Sequence, residues 1–165
     1  MKTLYLVRHA KSSWKYPKLD DFERPLNKRG RKSAPFMGEI LNKLKVSPDH
    51  IISSPANRAA TTARIMAAKI GYPLEHIQYS ENIYEFSEGA LIRVVKGIDD
   101  KAIKAMVVGH NPGLNGLANY LGDRPVSNIP TAGIYCLDLD IASWSSISEN
   151  CGELKFFEYQ KKHTG

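Results

Sequence analysis

The apolar stretch Leu4-Tyr5-Leu6-Val7 ends abruptly at Arg8-His9, and that edge constrains the fold more than any other feature of the chain. A short run of strand formers cut off by charge reads as a buried central strand of an α/β sheet. The same punctuation recurs twice. Ile51 and Ile52 run straight into Ser53-Ser54-Pro55, and Ala105 to Val108 runs into Gly109-His110-Asn111-Pro112-Gly113. Between these strands lie stretches of helical spacing. Asn27 can cap a helix with Ala34, Met37, Ile40, Leu41 and Leu44 on one stripe, and Pro35 suggests that its regular part begins near Ser33. Ala56 to Ile70 reads as an alanine-rich helix closed by Gly71, and Ser87 can cap a helix running to about Ile98.

A weak strand near His76 to Tyr79, a short helix over Leu114 to Leu121, and strands over Tyr135 to Leu139 and Leu154 to Tyr159 complete the series. The order β, loop, α, β, α, β, α, β, α, β, β predicts a mostly parallel, mixed central sheet covered by helices on both faces, a three-layer α/β/α sandwich. At 165 residues the chain has room for one domain with a proper core, expected over residues 1–160, with 161–165 as a loose tail.

In open α/β sheets, ligands bind beyond the carboxyl ends of the strands. Three predicted strands deliver Arg8 and His9, then Ser53-Ser54 with Arg58 just beyond, then His110 and Asn111 to that edge. Two arginines and two histidines at one rim are a poor core and a good receptor for a tetrahedral dianion. The guanidinium forks of Arg8 and Arg58 match phosphate oxygens, and Arg58 lies in the first turn of its helix, where backbone N–H groups add positive potential. Neutral imidazole is a competent nucleophile near pH 7 when its other nitrogen keeps the proton, so His9 is the candidate nucleophile. His110, if protonated, stabilises charge on the transferring group.

These residues also carry a family pattern. Leu-Val-Arg-His-Ala (6–10) resembles the signature of the histidine phosphatase superfamily, which is phosphoglycerate-mutase-like in fold. The block 53–63 resembles the segment holding that family's second arginine, and 107–113 the segment holding its second histidine. Arg24-Pro-Leu-Asn-Lys-Arg-Gly30 is similar to the family's start of the first helix. The resemblance runs from residue 1 to about 160. The short length and the variant Arg-His-Ala-Lys-Ser-Ser-Trp are most similar to SixA-type phosphohistidine phosphatases. The resemblance implies a metal-independent, cofactor-free phosphatase in which His9 becomes phosphohistidine and water then releases phosphate, with Arg8, Arg58 and His110 holding the phosphoryl group. Asn111, Lys11, Ser13 and Lys15 are expected to contact substrate.

Two departures stand out. Lys15 replaces the asparagine that mutases and many phosphomonoesterases carry there, and no glutamate is a clear general acid. Glu85 is the nearest candidate for the acid, with Glu81 and Glu88 as rivals. An imidazole leaving group and a weak P–N bond need less acid assistance than an alkoxide.

The expected substrate is phosphohistidine in a protein, with a small phosphomonoester as the alternative. Lys plus Arg is 23 against 17 Asp plus Glu, a net charge of +6, which leaves a basic module for phosphorylated or nucleic-acid ligands as a further reading. No aromatic-rich basic strand and no helix-turn-helix spacing supports nucleic acid as the partner. A metal-dependent hydrolase using His9, His110 and Asp20 or Asp21 is the last alternative, and no HExxH-type spacing supports it. Cys136 and Cys151 read as reduced thiols. With no signal-peptide core and no membrane-length apolar run, the expectation is a cytoplasmic monomer that does not engage a membrane.

Overall fold

A computed structural model of the chain describes residues 1–84 and 87–164. Ten elements follow the expected alternation: β1 (Lys2–Arg8), α1 (Lys28–Lys43), β2 (His50–Ser53), α2 (Asn57–Lys69), β3 (Gln78–Tyr79), α3 (Glu88–Lys96), β4 (Lys104–Gly109), α4 (Gly113–Leu121), β5 (Ile134–Leu139) and β6 (Gly152–Glu158). They form one six-stranded sheet in the order β3-β2-β4-β1-β5-β6. The first four strands in that order are parallel, and β5 alone is reversed relative to the other five. The fold is a mixed α/β sandwich, one sheet with helices on both faces.

Alternation along the strands divides the core in two. Tyr5, Val7, Met106 and Val108 point to one face, where α1 and α2 contribute Met37, Leu41, Ala63 and Met66. Leu4, Leu6, Ala105 and Val107 point to the other, where α3 and α4 contribute Leu91, Val95, Leu114 and Leu117. Both faces are buried, so the strands read as continuous apolar runs.

Three local expectations need correction. α1 starts at Lys28, ahead of Pro35, because the Asn27 side chain accepts from the Gly30 N–H and nucleates the first turn there. The strand expected from His76 shrinks to Gln78–Tyr79, since Leu74–His76 coils into a 3-10 turn. The tail expected to be loose forms a short helix, α5 (Gln160–Thr164), with Lys162 and His163 turned back onto Glu158. Among the described residues no helix is long and apolar enough to cross a membrane.

Candidate active site

Sheet register brings the site together. Arg8 on β1 pairs with Gly109 on β4, so His9 and His110 leave adjacent strands side by side, and the His9 N–H donates to the Gly109 carbonyl at 3.0 Å. β2 flanks β4 on its other side, with Ser53 opposite Val108, and delivers Ser54 and then Arg58 in the first turn of α2. The imidazole centroids of His9 and His110 stand 5.1 Å apart. Around them lies a cavity of about 370 Å³ lined by Arg8, His9, Lys11, Ser12, Trp14, Asp21, Arg24, Arg58, His110, Asn111 and Thr131.

His9 is held in one tautomer. Its Nδ1–H donates to the Ala10 carbonyl at 2.7 Å, which leaves the Nε2 lone pair free to face the cavity. Ala10 is itself fixed, because its N–H donates to Thr62 Oγ1 at 2.9 Å, and Thr62 donates onward to the Arg58 carbonyl. Burial lowers the His9 pKa to about 4, the bond to Ala10 opposing this and the cations Arg58, Arg8 and Arg24 adding to it. The nucleophilic form is therefore the resting form at neutral pH. His110 Nε2 lies 2.8 Å from Ser54 Oγ, and burial, then His9 and Arg58, lower its pKa to about 3. Burial and the neighbouring cations thus favour the neutral ring over the imidazolium expected at His110, with Asp21 opposing them.

The two arginines are held differently. Arg8 donates from Nη1 to the Ile129 carbonyl at 3.0 Å, while its buried Nε has no hydrogen-bond partner among the described residues. Arg58 is buried and both its terminal nitrogens are engaged by one residue: Nη1 donates to the Asp21 carbonyl at 2.7 Å and Nη2 to Asp21 Oδ2 at 2.9 Å. Asp21 also accepts from Arg24 Nη1 at 2.8 Å and from the Tyr84 hydroxyl at 2.7 Å. Partial burial works against its ionisation, but the bonds from Tyr84, Arg24 and Arg58 outweigh that and hold the carboxyl well below the usual carboxylate range. A carboxylate so committed serves guanidinium groups.

Other expectations sort by geometry. Lys11 and Asn111 line the cavity, Asn111 with its amide donating to the Ile129 carbonyl at 3.1 Å. Ser13 and Lys15 stand outside the lining, because the Ser13 hydroxyl accepts from the Lys15 N–H and closes a turn there; Ser12 takes the place expected of Ser13. Glu85 lies outside the described residues. Sequence reasoning placed Asp21 beside the histidines only as a candidate metal ligand, not as the holder of Arg58, and missed Arg24, Trp14, Thr131 and the support from Thr62.

The family model of the histidine phosphatase superfamily (branch 1) matches residues 4–92, more than half of the chain. The chain belongs to the histidine phosphatase superfamily and is a phosphatase. An uncharacterized protein of Mycobacterium tuberculosis is 30% identical over 162 residues, 92% of this chain and 98% of that one. Among solved structures, a protein of Agrobacterium tumefaciens assigned as the phosphohistidine phosphatase SixA is 25% identical, with a TM-score of 0.80 over 96% of this chain and 98% of its own. The protein histidine phosphatase SixA complexed with tungstate reaches the same TM-score, 0.80, at 18% identity over 95% of this chain and 96% of its own.

Proposed function

We propose that the protein is a metal-independent phosphohistidine phosphatase acting on phosphohistidine in a protein. The observation that carries this reading is the Nδ1–H bond from His9 to the Ala10 carbonyl, which presents Nε2 as a lone pair among Arg8, Arg58 and His110. In the first step Nε2 forms a bond to phosphorus in line as the substrate's P–N bond breaks. The released imidazole takes a proton from the solvent side of the pocket. Because Nδ1 keeps its proton throughout, the phosphorylated ring of His9 is cationic and a good leaving group. Water then attacks phosphorus, the P–Nε2 bond breaks, and inorganic phosphate leaves while the surplus proton passes to solvent. Arg8 and Arg58 hold the equatorial oxygens, where preorganised cations lower the barrier most. Asn111 and Lys11 stand at the rim for contacts beyond the phosphoryl group.

A protein substrate is favoured over a metabolite by the outer wall. Lys11 and Trp14 line the pocket and are exposed, so among the described residues this side of the mouth opens onto the surface, where a protein can reach it. The name of the similar Agrobacterium chain supports phosphohistidine as the bond that is cleaved.

The test uses a protein carrying labelled phosphohistidine, in excess chelator, with a denaturing quench. Acid-labile, base-stable label should appear on the wild-type chain and vanish in His9→Ala, while released phosphate accumulates only with wild type. Full turnover by His9→Ala would overturn the nucleophile, and loss of turnover in chelator would overturn the metal-independent route. Turnover of p-nitrophenyl phosphate with none of the phosphoprotein would return the substrate to the phosphomonoesters.

A further inference from the structure

The chain has two tryptophans, and they live opposite lives. Trp144 is fully buried and its indole N–H donates to the Ala102 carbonyl at 2.8 Å. Trp14 is 77% exposed. A tryptophan can bury 150–250 Å² of largely apolar surface, roughly, so one left in water at the edge of a pocket forgoes a large hydrophobic gain. It is also not left loose. The Arg24 guanidinium lies over one face of the indole, 3.3 Å from the ring centroid.

Arg24 is a rigid support. It is buried, and each of its three nitrogens is engaged: Nε donates to the Ser13 carbonyl at 3.0 Å, Nη1 to Asp21 Oδ1 at 2.8 Å, and Nη2 to Ser12 Oγ. The segment leading into the indole is stitched down by the Ser13 N–H to the Pro25 carbonyl and the Asn27 N–H to the Lys11 carbonyl. One face of Trp14 is therefore covered by a fixed cation and the other is open, on the wall of the cavity that holds His9 and Arg58. An aromatic surface fixed before the ligand arrives needs little further ordering on binding.

In-line attack sets the direction of the leaving group. It departs on the side of phosphorus away from His9, and His9 is buried while Trp14 stands at the mouth. We propose that Trp14, backed by Arg24, forms a subsite for a flat unsaturated ring borne by the phosphoryl group. This rests on the phosphoryl-pocket reading above and names the chemistry of the leaving side: an imidazole or other ring, stacked on the open face of the indole.

Binding of two non-hydrolysable phosphonates, read by titration calorimetry, tests the subsite without any turnover. Wild type should bind phenylphosphonate about three- to tenfold more tightly than methylphosphonate, the range that an aromatic pair supplies. Trp14→Ala should erase that ratio, and Trp14→Phe, which keeps a ring over Arg24, should retain most of it. Equal affinities in wild type, or a ratio that survives Trp14→Ala, would overturn the subsite and leave the phosphatase reading standing. If neither phosphonate binds, the phosphoryl pocket itself is misread and the subsite falls with it.

Discussion

Asp21 grips Arg58 through two different groups, its backbone carbonyl at 2.7 Å and its carboxylate at 2.9 Å, across 37 residues of sequence. The loop after β1 thereby sets the plane of an arginine that belongs to α2. With Asp21→Ala the guanidinium keeps one of these two anchors and swings about it. Misplacement of this order costs about tenfold to a hundredfold in rate. We expect kcat/KM for p-nitrophenyl phosphate to fall within that range. A value equal to wild type would mean that Arg58 is oriented by its own packing alone.

Arg58→Ala removes the donor itself. Loss of one donor to transition-state charge costs about 10²-fold or more in kcat in comparable sites. Steady-state kinetics should therefore rank Arg58→Ala below Asp21→Ala, and the reverse order would place Asp21, not Arg58, against the substrate.

Thr62→Val deletes the oxygen that accepts from the Ala10 N–H. A buried donor left unsatisfied costs about 1–3 kcal/mol, readable in urea unfolding. Ala10 also fixes His9, so kcat should fall with stability. A stability loss with wild-type kcat would show that the His9 tautomer needs no such support.

Gly30 on α1 lies against the backbone of Lys11, and a Cβ there would run into the Lys11 carbonyl oxygen. Gly30→Ala must push the segment after His9 outward. We expect a loss of about 1–3 kcal/mol from overpacking, with reduced activity. Wild-type melting and kinetics together would show that the segment yields freely.

The two buried imidazoles make stability depend on pH. Free histidine titrates at 6.5, while His9 and His110 are lowered to about 4 and about 3. As pH falls through 6.5 the unfolded chain takes up protons that the folded chain refuses, so folding stability is complete above that point and drains away below it. Between pH 7 and 5 the loss should be about 2–4 kcal/mol for the pair. Urea titrations of wild type and of the His9→Ala, His110→Ala double variant measure it. Equal pH dependence in both would show that other groups govern acid lability.

Much of this was legible in the sequence because it is local. Val7-Arg8-His9 and Val108-Gly109-His110 each announce a strand and its end within a few residues, and parallel register then does the rest. Pro35 misled because a proline inside a helix is read as a breaker, while the Asn27 cap three residues ahead of Gly30 had already set the first turn. Asp21 and Arg24 sit in a polar loop where any charge reads as solvated. Their meaning depends on Arg58 and Tyr84, whose approach is a property of the folded chain. Trp14 has the same character, since only the guanidinium over its ring separates a platform from a stray surface tryptophan.

The pairing of β1 with β4 carries one more consequence. The gap between His9 and His110 is inherited from the spacing of adjacent strands, a quantity fixed by backbone hydrogen bonding and indifferent to side chains. The spacing of the two imidazoles is thereby insulated from change at the exposed positions of the neighbouring loop, such as Lys15, Tyr16 and Lys18, while Ala10, Asp21 and Arg24 stay tied to His9 and Arg58. Those exposed positions can be rewritten to meet a new phosphorylated partner without moving the two histidines, which makes the chain a natural scaffold for grafted specificity.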